Sequence, residues 1–80
     1  MTLYAETFAA GRSGKLSGRE RDVLNALAVG ESTEQIGLAL RMSPHTVRTH
    51  LRNIMRKLES RTRAHAVAIA ICDGAIQPPL

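Results

Sequence analysis

The segment 43–58, SPHTVRTHLRNIMRKL, constrains the fold most strongly because it has the pattern of an amphipathic helix with a defined start. Ser43 is a good N-cap, since its hydroxyl can accept a hydrogen bond from a free amide of the first turn. Pro44 then occupies the first helical position, where its missing N–H costs nothing. Apolar residues follow at helical spacing on one face: Val47, Leu51, Ile54 and Leu58. The spacing predicts a helix over 44–58 that packs on a core.

A second face of this predicted helix is polar and basic. Its members recur at helical spacing: His45, Arg48, Thr49, Arg52 and Arg56. Between residues 44 and 63 the sequence contains six basic residues and a single acid, so this segment alone exceeds the net charge of +4 of the whole chain. Such clustering indicates a polyanionic partner, and a solvated basic helix face is the alternative interpretation.

The length of 80 residues predicts one small domain. Chains of this size bury only about 60% of the surface that they expose when unfolded. The single cysteine, Cys72, excludes an internal disulfide framework and is typical of a reducing compartment. No apolar run approaches the roughly 20 residues of a membrane span, and the first residues do not resemble a secretory signal. We therefore expect a cytoplasmic protein that does not bind membranes.

A capping-box pattern, in which a Ser cap is followed three residues later by Glu or Gln, occurs twice before the basic helix. The pairs are Ser17 with Glu20 and Ser32 with Gln35. The first predicted helix ends at Gly30, and the second is short and runs to about residue 41. Only one residue then precedes the cap of the third helix. Two helices joined by so tight a turn form a helix-turn-helix unit.

A fourth helix is predicted over 63 to about 73, with Thr62 as its cap and Gly74 after its end. No strand pattern is found, so the predicted fold is all-α with four helices. Residues 1–14 are predicted to be a flexible leader, 15–74 the folded domain and 75–80 a flexible tail. Tyr4 and Phe8, four residues apart in the leader, could instead form one helical turn that packs on the core.

Three residues of the predicted domain have two interpretations each. Gly37 lies inside the second helix, where Gly costs about 1 kcal/mol relative to Ala. It indicates either a close approach of the second and third helices or a neutral substitution. Glu20 is favoured as a structural cap partner over a functional acid. His50 lies between the apolar and basic faces and is either a phosphate donor or a packing histidine.

A set of positions from Leu16 to Cys72 carries a family pattern: L-S-x-R-E-x-x-V-L from Leu16, then Ile36, S-P-x-T-V-x-x-H from Ser43, Lys57 with Leu58, and R-x-x-A-V from Arg63. This set resembles the LuxR-type helix-turn-helix, the GerE-like domain of NarL/FixJ-class response regulators and quorum-sensing activators. The resemblance implies a tetrahelical domain of a bacterial transcription regulator that binds double-stranded DNA. In such domains the third helix enters the major groove and the fourth pairs two subunits.

Carried over by position, the resemblance implies that Arg48, Thr49 and Arg52 face base edges. The chemistry agrees, because Arg can bind guanine through two hydrogen bonds and the Thr methyl can contact a thymine methyl. The residues better placed for phosphates, which position the protein without reading sequence, are Ser43, Thr46, Arg56 and Lys57.

The resemblance also implies a homodimer through the fourth helix. There, Ala66, Val67 and Ala70 fit the core side, whereas the predicted dimer seam consists of His65, Ile69 and Cys72. RNA polymerase is a further candidate partner. Two residues depart from the family pattern: Glu59 stands where Gly is frequent after the third helix, and Glu34 replaces a commonly basic residue. In the family, the acid at Glu20 also braces neighbouring helices.

Catalysis has no support in the sequence. The three histidines, His45, His50 and His65, have no Cys or acid at metal-ligand spacing, so neither a metal site nor a cofactor is expected. Two other functions remain open. One is the promoter-contacting module of a sigma factor, against which the apolar fourth helix argues. The other is a protein-interaction adaptor that has lost DNA binding, against which the intact basic face argues.

Overall fold

Each observed α-helix begins directly after the residue that the sequence predicts as its cap. A computed structural model describes residues 11–78, and its α-helices are α1 (Gly18–Ala28), α2 (Thr33–Leu40), α3 (Pro44–Leu58) and α4 (Arg63–Cys72). A 3-10 helix, Arg12–Lys15, precedes α1, and these residues contain no strand. The predicted all-α class with four helices is therefore confirmed.

At the start of every α-helix, the side chain of the N-cap residue accepts a hydrogen bond from a backbone amide of the first turn. Ser17 accepts a hydrogen bond from the amide of Glu20, whose carboxylate accepts one in return from the Ser17 amide. Ser32 and Gln35 make the same reciprocal pair at α2, and the hydroxyl of Thr62 accepts at α4. A cap of this kind stabilises a helix by about 1 kcal/mol. The helix starts are thus specified locally.

Two helix ends require a left-handed residue and obtain it without glycine. Arg41 follows α2 with φ 58°, and Glu59 follows α3 with φ 53°. After α3, the Glu59 amide donates to the Arg56 carbonyl and the Ser60 amide donates to the Met55 carbonyl, which is the Schellman pattern. Glu59 therefore adopts the conformation that glycine usually supplies, at a cost of about 1–2 kcal/mol.

Helix α3 lies at the centre of the core and packs against the other three α-helices. Its predicted apolar stripe is buried, with Val47, Ile54 and Leu58 fully covered and Leu51 4% exposed. The other core residues come from the remaining elements: Leu16, Val23, Leu24, Ile36, Ala66, Ala70 and Ile76. Because the other helices cover the apolar face of α3, only its opposite face is accessible to a partner.

The structure differs from the predicted leader and tail at their inner ends. Ser13 is buried within the 3-10 helix, and Ile76 is buried after α4. The amides of residues 75 and 76 both donate to the Ala70 carbonyl, which turns the chain back onto the core. A single buried residue creates no periodicity, so no sequence pattern indicates that it is buried. The predicted turn at Tyr4 and Phe8 lies outside the described residues.

Candidate nucleic-acid interface

The solvent-facing side of α3 carries the basic residues that the sequence places there. Arg48, Arg52 and Arg56 are exposed, and Thr49 between them is half-buried. Residues 44–58 contain no Asp or Glu, so these arginines have no partner of opposite charge within α3. The described structure thus presents a row of cations on the face opposite the core.

The hydroxyls at the start of α3 are already engaged in local hydrogen bonds. Ser43 Oγ accepts from the Thr46 amide at 3.1 Å and lies 3.0 Å from Thr46 Oγ1. Thr49 Oγ1 donates to the His45 carbonyl at 3.1 Å. Because its hydroxyl proton is used inside the helix, Thr49 offers mainly its methyl group to a partner. This geometry suits an apolar contact such as one with the methyl group of thymine.

Lys57 lies apart from the other basic residues of α3. Its Nζ contacts Glu20 Oε1 on α1 at 2.7 Å, and its side chain is 30% exposed whereas that of Glu20 is 4% exposed. The contact favours a role in holding α3 against α1 over the predicted phosphate contact. It also joins the cap and bracing interpretations of Glu20, because the same oxygen accepts from the Ser17 amide.

The Glu20 carboxylate is held in its charged form by these partners. Burial by itself raises the pKa of Glu20, but hydrogen bonds from Lys57 and Ser17 and the charge of Lys57 outweigh it. The net pKa lies below its ordinary value of 4.5. A charge pair that is buried on its Glu20 side therefore joins α3 to α1.

Gly37 fixes the turn between α2 and α3. A Cβ at this position would lie 2.6 Å from the carbonyl oxygen of Met42 and 3.7 Å from the nitrogen of Pro44. The Gly37 carbonyl accepts the Met42 amide in the same turn. Of the two interpretations left open by the sequence, the close approach is the one observed. The contact is with the turn itself rather than with a side chain of α3.

Two arginines to which the sequence analysis assigned no role donate hydrogen bonds to the carboxyl ends of α2 and α3. Arg19 Nη2 donates to the Leu40 carbonyl at the end of α2, at 2.9 Å. Arg12 Nη1 donates to the Leu58 carbonyl at the end of α3, at 3.1 Å. Each partner is distant in sequence, so the only available signal was the general preference of helix ends for cations.

The predicted seam residues of α4 line one surface groove. His65 and Cys72 are exposed and Ile69 is half-buried, and all three border a groove of about 490 Å³. The other wall of the groove comes from Gly11 and Arg12. As predicted, Ala66 and Ala70 are buried on the opposite side. The structure thus brings the seam residues together along one groove, at the bottom of which Ile69 also packs against the edge of the core.

The described residues contain neither a cluster of metal ligands nor a membrane-spanning helix. Over residues 11–78, no group of three or more His, Cys, Asp and Glu side chains is placed to hold a metal ion. In the same span, no helix is both long and apolar enough to cross a membrane.

Comparison with known proteins gives one family. The family model described as bacterial regulatory proteins, luxR family (GerE), matches residues 14–70. The nitrate/nitrite response regulator protein NarP of Escherichia coli (strain K12) is 46% identical over 54 residues, which are 68% of this chain and 25% of that protein. The transcriptional regulatory protein FixJ of Rhizobium meliloti (strain 1021) is 39% identical over 59 residues, which are 74% of this chain and 29% of that protein.

A solved structure of the transcription factor GerE has the same fold. It superposes with a TM-score of 0.72 at 36% identity, over 74% of this chain and 88% of that one. The chain spans about a quarter of the length of the curated relatives it matches. The likeness therefore covers the four-helix unit and not the remainder of those relatives.

Proposed function

Because the chain belongs to the LuxR family of bacterial regulatory proteins and forms its helix-turn-helix domain, we propose that it binds double-stranded DNA sequence-specifically with α3 in the major groove. The observation that carries this proposal is the division of α3. One face is buried in the core, and the opposite face exposes Arg48 and Arg52 around the Thr49 methyl group. A helix held by its apolar stripe can enter the groove without losing its packing.

Each basic residue has a role that its chemistry supports. Arg48 and Arg52 read base edges, since a bidentate guanidinium contact discriminates between bases by about 1–3 kcal/mol. Thr49 adds a methyl contact. Arg56 contacts phosphate, as do the hydroxyls of Ser43 and Thr46 at the start of α3. Lys57 holds α3 against α1 through its ion pair with Glu20 and so helps to position this face.

The domain functions as a dimer through α4 in this proposal. Two subunits on adjacent half-sites would read a site with twofold symmetry, as helix-turn-helix dimers do. His65, Ile69 and Cys72 form the seam. Contact with RNA polymerase, a cytoplasmic location and a role as the effector part of a longer regulator stay predictions.

Selection of bound sites from a random duplex pool tests the proposal. We expect a consensus of two half-sites about one helical turn apart. On the selected duplex, Arg52→Ala should weaken binding by about 10- to 100-fold and relax specificity at one position. Arg56→Ala should weaken all sequences alike and reduce the salt slope by about one unit.

The matched control is Arg21→Ala, which removes an exposed arginine from α1 and should leave affinity unchanged within about twofold. Absence of duplex binding at low salt would contradict DNA binding and favour the adaptor. Binding without any sequence preference would contradict the assigned roles of Arg48 and Arg52.

A further inference from the structure

The groove beside α4 is built partly by residues outside the family match. Its floor is Ala68, Ile69 and Cys72, and its rim includes Arg12 and Asp73. The family model ends at residue 70 and begins at residue 14, so both rim residues lie beyond it. The charged rim is therefore not specified by the positions that define the family, whereas Ala68 and Ile69 of the floor lie within them.

The amino-terminal wall of this groove is fixed to the ends of two helices. The Ser13 amide donates to Asp73 Oδ2 at 3.0 Å, and Arg12 Nη1 donates to the Leu58 carbonyl at 3.1 Å. At Gly11, a Cβ would lie 2.9 Å from Asp73 Oδ1, so the backbone there rests against the carboxylate. The wall is thus a defined surface that also contacts the carboxyl end of α3.

A base and an acid border the same groove without pairing. Within residues 11–78, Arg12 and Asp73 form no ion pair with each other, although Ser13 next to Arg12 bonds the Asp73 carboxylate. Asp73 also follows the carboxyl end of α4, where a negative charge is unfavourable. Both groups lie beside an apolar floor, so a cation near Asp73 and an anion near Arg12 would complete the patch.

A second copy of the chain supplies both. An interface with twofold symmetry uses the same patch on each subunit, so the patch must be complementary to itself. We propose that the two grooves face each other in the dimer and that Arg12 of each copy pairs with Asp73 of the other, across the Ile69 seam. This proposal rests on dimerisation through α4 and adds the residues that determine its pairing. Because Arg12 also donates a hydrogen bond to the Leu58 carbonyl at the end of α3, the pairing between subunits is linked to α3.

Complementary charge reversal tests the pairing directly. Arg12→Glu and Asp73→Lys are each prepared alone, and each should weaken self-association by about tenfold or more, because like charges then meet twice. An equimolar mixture should recover a heterodimer, since both cross-subunit pairs are then opposite in charge. Analytical ultracentrifugation, with one variant fused to a larger carrier, identifies the heterodimer by mass.

Two controls separate this result from a change inside one subunit. Lys15→Glu makes the same charge change in the same 3-10 helix, outside the groove, and should leave association unchanged. Ile69→Glu should abolish association, and mixing it with either charge variant should not restore it. If Arg12→Glu and Asp73→Lys associate as the unchanged protein does, or if their mixture fails to recover, the pairing is overturned.

Cross-linking provides a second measurement if Asp73→Lys fails to fold. Cys72 is the only cysteine and lies on the groove floor, so a short bis-maleimide should join two copies only where the grooves face each other. We expect cross-linked dimer with the unchanged protein and about tenfold less with Arg12→Glu. Dimers that do not cross-link overturn the facing arrangement while leaving dimerisation intact. Duplex binding with no dimer at any concentration overturns dimerisation as well, and leaves the roles of α3 standing.

Discussion

Helices α3 and α4 each bury one apolar stripe in the same core, but the surfaces that they expose to solvent differ in chemical character. The outer face of α3 carries three exposed arginines around a threonine. The outer face of α4 carries Ile69 and Cys72, and the sequence RAHAVAIAIC contains no Asp, Glu, Lys or Arg after its first residue. A helix of the α4 kind is apolar on nearly every side.

The difference indicates two kinds of partner. A row of arginines gains most from a polyanion, since phosphates release counterions when the charges are neutralised. An apolar groove gains most from another apolar surface. Within one small domain, the proposed function assigns α3 to nucleic acid and α4 to protein.

The largest expected effect comes from truncating matched isoleucines of the two helices. Ile54→Ala on α3 should lower the free energy of unfolding by about 2–5 kcal/mol, because Ile54 is fully buried. Ile69→Ala on α4 should lower it by only about 1 kcal/mol, since that side chain is half-buried. Urea unfolding at low protein concentration measures both. Equal losses would mean that Ile69 belongs to the core as fully as Ile54 does, which would contradict an outward role for Ile69.

A methyl group at Gly37 tests whether the orientation of α3 depends on the turn before it. Helix propensity alone would make Gly37→Ala stabilising by about 1 kcal/mol. The Met42 carbonyl lies 2.6 Å from the added Cβ, so we expect a net loss of about 1–3 kcal/mol. Duplex affinity should fall with it. Gly18→Ala is the control, because its Cβ would meet nothing within 4 Å and should not destabilise.

The ion pair between Glu20 and Lys57 should make the free energy of unfolding depend on pH. Glu20→Gln should cost about 1–2 kcal/mol at pH 7, where the carboxylate bonds Lys57 and Ser17. The pKa of Glu20 is lower in the folded state than its ordinary value of 4.5, so this stability is present above 4.5 and is lost as the pH falls through the folded pKa.

Unfolding measured between pH 7 and pH 3 should therefore show the two proteins converging in acid. Asp22→Asn, which removes an exposed carboxylate from the same helix, is the control and should change the stability little. A difference between the Glu20→Gln variant and the unchanged protein that stays constant down to pH 3 would contradict the charge pair.

The smallest expected effect is a gain at the turn between the two helices. Glu59→Gly should raise the free energy of unfolding by about 0.5–1 kcal/mol, because glycine adopts the left-handed conformation without the Cβ penalty and loses part of the gain as backbone entropy. Glu59→Ala removes the carboxylate but keeps the Cβ and should give no such gain. Thermal unfolding of the three proteins checks this, and equal gains would assign the effect to charge instead.

Much of the candidate interface could be predicted because its cause is local. The start of α3 depends on Ser43 and Pro44, and its two faces follow from helical periodicity alone. Arg48 and Arg52 therefore appear on one exposed face in both the sequence and the structure. Lys57 shows the limit of this reasoning, because its partner Glu20 is 37 residues away and no pattern on α3 reveals it.

The ends of the domain could not be predicted for the same reason. Ser13 and Ile76 are buried by contacts with distant elements, and neither belongs to a repeating pattern. The groove beside α4 arises where the amino-terminal wall and the carboxyl end of α4 meet, about 60 residues apart in sequence. Sequence periodicity describes one helix at a time and cannot report such a meeting.

The four helices, their caps and the division of α3 into an apolar and a basic face follow from the amino-acid sequence, because capping and periodicity act within a few residues. Three further features become visible only in the packed fold: Lys57 pairs with Glu20, Gly37 lies against the Met42 carbonyl, and Arg12 and Asp73 border one groove. These depend on which surfaces the packed core brings into contact, and that is a property of the whole chain.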